Sequence, residues 1–471
     1  MTEGNSHKKT KKKLKEKMPL KAKKLLVLKR PLKNIIRKKQ CRHHNTIFKV
    51  VFVVLVLYVL VNLADWKEHW DSKKQDILIQ QQKMDPVAEQ LTDAMDIQEW
   101  AKPMQCKAGK RKRLAFLKTH KTGGGTLTGI LNRFTDYQQI DIAIPKNDVR
   151  FNWPASFSHQ EVQVSRLKDR RADMLNLHSV LNRPELGKIM KPGFKLVTIL
   201  REPVRQFYSM FYYLNLPKHY GIANESDPVS TFMENPYRYH HFKPFLKVGR
   251  ERYFEENLIH NGNLYDLDFT RFQEKGKDRG LRDFIQYLEK AFHLVMITEK
   301  YDESLLLLKK LMCWDFMDIV YMKKHVNHNL QNESFAISNA TAESIRGWNY
   351  FDAVLYNHFS KRLDEIIGKQ DKEKFKTDLM LFRELNDAVV TFCLNNSTSA
   401  DVDGTIQKFD KILEVLKDIG ETPPPAFLEK PDCFCTKMKR NERDYMFFFA
   451  KRFPPFYFMK GLSRPQSTDD C

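Results

Sequence analysis

Several features are missing from this sequence, and each absence removes a class of protein. Glycine and proline number only 18 and 20 in 471 residues, and 42% of residues are hydrophobic, so the chain as a whole is not disordered. No stretch has the order G-x-x-x-x-G-K-[ST], which disfavours an NTPase or an ordinary kinase. Cys433 and Cys435 lack a second Cys or His pair at matching spacing, so no metal site is predicted.

Acidic residues are scarce at the start of the chain. Residues 1–46 carry 17 Lys/Arg against 2 Asp/Glu, whereas the other 425 residues carry 63 against 56. Most of the formal charge of +22 therefore lies in the tail, which by itself is also typical of a nuclear signal or an RNA-binding arm. The body is only mildly basic, which suits an anionic substrate without requiring one.

A long apolar run follows this tail. Residues 47–64 contain the uninterrupted segment Val50–Val61, and at about 1.5 Å per residue they span about 27 Å, enough for a thin early-secretory bilayer. A cleaved signal peptide is disfavoured because no A-x-A site follows and the preceding segment is too long, and a buried core helix is rarely so rich in valine. The positive-inside rule places residues 1–46 in the cytosol, where they lie against the anionic leaflet, so a nucleic-acid partner is not needed.

This topology predicts four segments. They are a basic cytosolic tail (1–46), a transmembrane signal-anchor (47–64), a luminal stem (65–110) and a luminal folded domain (111–471). Six luminal cysteines can form up to three disulfides, and fifteen pairings are open: Cys106, Cys313, Cys393, Cys433, Cys435 and Cys471. The glycosylation sequons all follow the span: Asn224, Asn332, Asn339, Asn395 and Asn396.

Within the luminal domain, strand patterns alternate with helical ones. Short apolar runs predict strands at 113–118, 174–178, 194–200 and 294–298. Helical spacing follows in 126–134, from Pro203 onward, and in Tyr301–Met312. Strand–helix alternation predicts an α/β fold with a parallel sheet flanked by helices.

Two segments combine residues that suit phosphate binding. The first, LKTHKTGGGT at 117–126, is a strand end, a glycine-rich turn and a helix start, where backbone N–H groups can approach an anion closely. In the second, Arg201 ends the strongest strand and Ser209 lies two turns into the next helix. Ligands of open α/β sheets bind at the carboxyl ends of strands. Taken singly, each segment is also compatible with a structural turn or an ion-paired helix cap.

Together, these segments resemble the two PAPS-binding elements (3'-phosphoadenosine-5'-phosphosulfate) of Golgi sulfotransferases. The words FLKTHKT at 116–122, TILREPV at 198–204 and ITEKYDESLLLLKKLMCWDFMDIVY at 297–321 are similar to the galactose-3-O-sulfotransferase family, which includes the galactosylceramide sulfotransferase. The resemblance runs from about residue 113 to 326 and weakens towards the C-terminus. It implies a P-loop-like sulfotransferase fold, a PAPS co-substrate, no metal, and a type II enzyme of the Golgi membrane.

The resemblance also implies roles for individual residues. Lys121 is expected to stabilise the leaving 5'-phosphate, while the following residues cradle that phosphate: Thr122, Gly123, Gly124, Gly125 and Thr126. Arg201 and Ser209 are expected to hold the 3'-phosphate, with Arg205 as a helper. The general base is expected to be His178, because the family has a histidine in a similar place; His120 is the rival. The acceptor is expected to be a galactose-terminated glycolipid or glycan, sulfated at the 3-hydroxyl.

One departure from the family pattern opens an alternative. The family usually has Ala-Ser-Ser where this chain has Gly123-Gly124-Gly125, so two hydroxyl donors are missing and the loop has more freedom to lose on binding. A membrane-anchored, sulfotransferase-like protein that binds glycan or nucleotide without turnover is therefore one alternative, and transfer to another position, such as a uronyl 2-hydroxyl, is a second. No feature of the sequence specifies an oligomeric state.

Overall fold

The structure, a computed structural model, describes residues 94–146, 150–151, 153–242, 256–269, 277–323, 337–395 and 402–452. All of them belong to one unit, Asp85–Cys471. The predicted basic tail (1–46) and signal-anchor (47–64) lie outside the described residues. Among the helices that are described, none combines the length and the apolar character needed to cross a membrane.

A parallel sheet forms the centre of the described domain. Its strands are β1 (Leu114–Leu117), β2 (Met174–Leu175), β3 (Lys195–Leu200) and β4 (Leu294–Ile297), in the spatial order β2-β1-β3-β4. The predicted α/β fold with a parallel sheet is thus confirmed. Because Leu117 pairs with Thr198, and Leu200 with Ile297, the carboxyl ends of β1, β3 and β4 come to the same edge of the sheet.

Helices surround this sheet. The α-helices among the described residues are α1 (Gly124–Tyr137), α2 (Arg183–Ile189), α3 (Pro203–Tyr213), α4 (Leu216–His219), α5 (Pro228–Glu234), α6 (Pro236–Phe242), α7 (Gly262–Asp266), α8 (Lys277–Ala291), α9 (Tyr301–Met312), α10 (Phe316–Ile319), α11 (Asn339–Trp348), α12 (Tyr350–Gly368), α13 (Lys372–Asn395), α14 (Val402–Ile419), α15 (Pro425–Glu429), α16 (Pro431–Lys439) and α17 (Glu442–Arg452). Short 3₁₀ turns connect them at Ile97–Ala101, His159–Glu161, Val164–Arg166, Glu256–Ile259 and Thr298–Lys300.

Burial of both sheet faces explains the composition of the strands. Every residue of β1 and β4 is buried, and their sequences LAFL and LVMI are continuously apolar rather than alternating. Strands of a parallel sheet covered by helices on both faces read in this way. α9 and α12 pack on β4, and α9 has acidic residues in its first turn and lysines in its last, as the helix dipole favours.

The β2 strand is shorter than predicted. The run 174–178 was expected to be a strand, but regular pairing with β1 ends at Leu175. Beyond that point, His178 still meets Lys118 through an isolated bridge and also bridges Arg150. The chain therefore leaves the sheet while keeping His178 next to the end of β1.

The chain joins the core ahead of Arg111. Trp100, within the segment 65–110 that the sequence assigns to a stem, is only 1% exposed and packs in the main core. Lys310 donates a 2.7 Å hydrogen bond to its carbonyl. A disulfide from Cys106 to Cys313 also links this N-terminal segment (residues 94–110) to the end of α9. A second disulfide joins Cys393 and Cys435, so two pairings emerge from the fifteen open to the sequence.

Replacing Trp100 with alanine is expected to lower the free energy of unfolding by about 3–5 kcal/mol, the usual cost of removing a buried large aromatic side chain. Urea denaturation of the purified protein measures the change. The exposed Tyr350, truncated to alanine, is the matched control and should change stability by less than about 0.5 kcal/mol. Equal effects of the two substitutions would contradict the conclusion that the N-terminal segment packs in the core through Trp100.

Candidate active site

The glycine loop (residues 118–126) connects the carboxyl end of β1 to α1. Gly123 is the N-cap of α1 and has the left-handed conformation, with φ +80°. The loop is fastened to the residue that follows β4, because the Thr298 hydroxyl lies 2.7 Å from the Thr122 carbonyl oxygen. The N–H groups at the start of α1 therefore open at the carboxyl edge of the sheet, where an anion can bind.

Close packing explains two of the three glycines. A β-carbon on Gly124 would lie 3.0 Å from Cγ of Lys118, and one on Gly123 would lie 3.3 Å from the ring of Tyr301. A side chain at Gly123 would also be strained by the positive φ. The Ala-Ser-Ser pattern of the family therefore requires local shifts at these positions, and the loop keeps its backbone amides without the two hydroxyls.

Lys121 is held at the mouth of the loop. Its backbone is left-handed, with φ +60°, and its ammonium group lies 4.0 Å from the centre of the exposed Tyr213 ring. Burial, followed by the positive charges of Arg201 and Lys118, lowers the pKa of Lys121 to about 8. A lysine tuned in this way remains a cation near neutral pH but is sensitive to mildly alkaline conditions.

Arg201 links the two predicted phosphate-binding segments. It follows the last residue of β3, and its Nη1 donates a 3.1 Å hydrogen bond to the carbonyl of Lys121. Its Nε is buried and has no hydrogen-bond partner among the described residues. A buried donor left without a partner is costly, so an anionic ligand here would satisfy it.

The helix after Arg201 supplies the other predicted residues. Pro203 begins α3, and the carboxylate of Glu202 caps it by accepting a 3.0 Å hydrogen bond from the N–H of Arg205. Ser209 lies two turns into α3 and is buried, whereas Arg205 is exposed. The structure thus places Arg201 against the glycine loop, while it records no direct contact between Ser209 and that loop.

Two histidines meet beside the loop. The rings of His120 and His178 are stacked, with centroids 3.9 Å apart and planes 16° from parallel. Nδ1 of His178 lies 3.1 Å from the carbonyl oxygen of Lys118. A carbonyl only accepts, so Nδ1 carries the proton and Nε2 is left as the acceptor. Burial, then the charges of His120, Lys118 and Arg150, lowers the pKa of His178 well below its usual value, so the ring stays neutral.

His120 has a buried carboxylate behind it. Nδ1 of His120 lies 2.9 Å from Oδ2 of Asp266, and the His120 N–H donates to the same oxygen at 2.8 Å. Asp266 is fully buried and also accepts a 3.1 Å hydrogen bond from the Trp153 indole. His120 is 6% exposed, and its Nε2 has no partner in the described part of the chain. The sequence analysis missed this carboxylate, because Asp266 is distant in sequence and belongs to no motif.

Gln206 is a further residue that sequence reasoning missed. Its side-chain amide donates a 3.1 Å hydrogen bond to the His120 carbonyl, from the buried face of α3. The sequence places Gln206 more than one helical turn after Arg201, and that spacing does not predict the hydrogen bond to His120. The hydrogen bond connects the second segment to the first at another point.

Taken together, the geometry brings an anion-binding loop, two cations and an imidazole pair to one edge of the sheet. Among the described residues, no group of three or more His, Cys, Asp or Glu side chains is arranged to hold a metal ion. The buried, unpartnered Nε of Arg201 and the left-handed glycine at the start of α1 both fit a phosphorylated ligand. The arrangement suits transfer of a group from such a ligand to a hydroxyl.

Comparison with known proteins agrees with this geometry. The family model described as galactose-3-O-sulfotransferase matches residues 49–421. Galactose-3-O-sulfotransferase 3 of Mus musculus is 33% identical over 297 residues, covering 61% of this chain and 64% of that protein. Galactosylceramide sulfotransferase of Mus musculus is 26% identical over 342 residues, covering 71% and 77%. Galactose-3-O-sulfotransferase 2 of Homo sapiens is 31% identical over 253 residues, covering 53% and 60%.

Proposed function

Because this chain belongs to the galactose-3-O-sulfotransferase family, we propose that it transfers a sulfuryl group from PAPS to the 3-hydroxyl of a terminal galactose on a glycolipid or a glycoprotein glycan. The matched part of the chain spans less than two thirds of the galactose-3-O-sulfotransferase 3 relatives, at 64–65% of their length. The observation that supports this activity best is the hydrogen bond from Arg201 to the Lys121 carbonyl, which joins both phosphate-binding segments at one edge of the sheet.

The chain's residues divide the reaction between them. The glycine loop and the start of α1 hold the 5'-phosphate, and Arg201 and Ser209 hold the 3'-phosphate. As the bond from sulfur to the bridging oxygen breaks, negative charge grows on the 5'-phosphate, where Lys121 stabilises it. The acceptor hydroxyl forms the new bond to sulfur and loses its proton to a base.

His178 is the proton acceptor in this proposal. Its Nδ1 is tied to the Lys118 carbonyl, so Nε2 is the atom that accepts, and its depressed pKa keeps it neutral. The His120–Asp266 pair lies directly behind it. The buried carboxylate offsets the charge that His178 gains, and the stacked ring holds it in place. His178 is only partly buried, whereas His120 is enclosed, so His178 is the ring that an acceptor can reach.

The activity is tested by incubating the protein with radiolabelled PAPS and three acceptors: galactosylceramide, lactosylceramide and N-acetyllactosamine. Label on a galactoside, lost after mild desulfation, supports the proposal and identifies the acceptor. Donor binding without transfer to any galactoside points to another acceptor, such as a uronyl 2-hydroxyl. Donor binding with no transfer to a broad glycan panel supports the alternative without turnover, for which the missing loop hydroxyls are the motivation.

Replacing Arg201 with alanine is expected to weaken binding of 3'-phosphoadenosine 5'-phosphate (PAP) by about 10- to 100-fold, since a charge-assisted contact to phosphate is worth about 1.5–3 kcal/mol. Isothermal titration calorimetry measures the affinity. AMP lacks the 3'-phosphate, so its affinity should fall less than that of PAP, by the amount due to the lost hydrogen bond from Arg201 to the Lys121 carbonyl. An equal loss for PAP and AMP would contradict a role for Arg201 at the 3'-phosphate. Arg205→Ala should weaken PAP binding less than Arg201→Ala does, because Arg205 is exposed and is expected only to assist at the 3'-phosphate.

The proposal includes a location. The chain is a single-pass type II protein of the Golgi membrane, with residues 1–46 cytosolic and the folded domain luminal; the basic tail, the apolar run 47–64 and the sequons that follow it support this topology. Endoglycosidase treatment of the expressed protein tests it. A mobility shift is expected, and an unglycosylated protein in the nuclear fraction would contradict it.

A further inference from the structure

The C-terminal helices reach the glycine loop. Glu442, the first residue of α17, forms an ion pair with Lys118 at the end of β1. The two side chains are 20% and 7% exposed, so the pair is largely shielded from water. Residues beyond 421 lie outside the family match, and α17, which is among them, contributes a charge to the edge of the sheet where the candidate active site lies.

Lys118 is the first residue of the glycine loop, and its side chain lies against the start of α1. Its Cγ and Cε lie 3.0 and 3.4 Å from the point that a β-carbon on Gly124 would occupy, so the side chain runs along the start of α1. Its carbonyl accepts the hydrogen bond from Nδ1 of His178. Its positive charge also helps to lower the pKa of Lys121 and of His178. Lys118 is thus electrostatically coupled to both groups that carry the proposed chemistry.

Several contacts keep α17 in this position. The disulfide between Cys393 and Cys435 fixes the preceding helix, α16, to α13. Lys437 of α16 pairs with the buried Asp136 of α1 at 2.6 Å. Arg166 donates a 2.6 Å hydrogen bond to the carbonyl of Ala450 on α17. Glu442 is therefore presented by a fastened element, and its pairing with Lys118 is a property of the folded domain.

We propose that Lys118 is a second lysine for the phosphosulfate group of the donor and that Glu442 competes with the donor for it. This inference rests on the proposed function, because it takes a phosphorylated nucleotide as the ligand of the loop. Without donor, the Glu442 carboxylate neutralises Lys118, so the folded protein does not contain a buried, unpaired ammonium group, which would be destabilising. When the donor binds, the Lys118 ammonium group leaves the Glu442 carboxylate and pairs with the phosphosulfate group instead. Glu442 thereby weakens donor binding and sets how readily product leaves.

The expected effect of Glu442 on donor binding follows from its negative charge and from its position beside Lys118. A carboxylate within side-chain reach of a phosphate site repels the phosphate and also occupies a cation that would otherwise bind it. Removing that carboxylate while keeping the shape of the side chain should favour the anion. The effect is moderate because the released Lys118 must move and Glu442 is partly exposed to water.

Glu442→Gln tests the proposal in the full-length protein, with PAP as the probe and calorimetry as the measurement. We expect PAP to bind about 3- to 10-fold more tightly than to the wild type, with the gain shrinking at high salt. Lys118→Met combined with Glu442→Gln removes the pair together, avoids a buried unpaired charge, and should abolish the gain. Asp444→Asn removes a charge from the same turn of α17 and is the matched control.

Four outcomes of these binding measurements test the proposal. Tighter binding in Glu442→Gln that disappears in the double variant supports the exchange of Lys118 between two anions. Unchanged or weaker binding in Glu442→Gln, with a melting temperature like the wild type, overturns it. The same gain in Asp444→Asn also overturns it, because the effect would then come from overall charge. A wild-type protein that does not bind PAP at all would instead refute the proposed function on which the inference rests.

Discussion

Replacing Lys121 with alanine is expected to lower kcat by about 100- to 1,000-fold, or about 2.7–4 kcal/mol, because a preorganised donor that meets developing charge contributes this much to transition-state stabilisation. The side chain is positioned for that task by three features: its left-handed backbone, the hydrogen bond from Arg201 to its carbonyl, and the Tyr213 ring beside its ammonium group. Sulfate transfer under donor saturation measures the loss.

The pH dependence gives the same prediction an independent readout. Lys121 must be protonated to stabilise the leaving phosphate, and its pKa is lowered to about 8, so kcat/KM should fall as the pH rises above about 8. Lys121→Arg should retain part of the activity and lose this alkaline decline, because a guanidinium stays protonated throughout. Lys361, exposed on α12, is the matched control for the alanine substitution. A Lys121→Ala enzyme with wild-type kcat would exclude the assigned role.

Replacing His178 with alanine is expected to lower kcat by about 100- to 10,000-fold, the range typical of a general base. In the wild type, His178 must be neutral to accept the proton. Since its pKa is lowered well below the usual value of about 6.5, kcat/KM should still be undiminished at that pH and should decline only in more acidic solution. The affinity for PAP should change little, because the imidazole does not bind the nucleotide in this proposal.

A comparison with His120 tests which ring accepts the proton. Both alanine variants are expected to lose activity, but for different reasons: His120→Ala leaves the buried Asp266 without its main partner and so also lowers stability. Added imidazole should partly restore His178→Ala, whose site is partly open to solvent, and should not restore His120→Ala, whose site is enclosed. The reverse pattern of rescue would assign the base to His120.

The sequence predicted the sheet and the glycine loop because both depend on local patterns. The apolar runs 113–118, 194–200 and 294–298 each contain a strand of the structure, and the helix predicted over Tyr301–Met312 has those bounds. These signals come from neighbouring residues, since periodicity, capping charge and glycine content are read over a few turns or strands. The family followed from the same short segments, taken in order.

The start of the folded domain was harder to predict. Residues 94–110 are largely polar, and a single tryptophan with one cysteine gives no local sign of packing. Trp100 packs in the core and bonds to Lys310 of α9, its segment also contacts α12, and Cys106 is joined by a disulfide to the end of α9, all some two hundred positions or more later in the chain. A contact between such distant segments has no periodicity to reveal it.

The sequence by itself determined the class of fold, the loop that begins α1 and the set of candidate side chains, because each depends on short-range chemistry. Only the tertiary structure decided which groups act together. It stacked His120 on His178, placed Asp266 behind the pair, selected two disulfides from fifteen pairings, and brought Glu442 from α17 to Lys118. These pairings join segments that are distant along the chain, and charges interact through space rather than along the sequence.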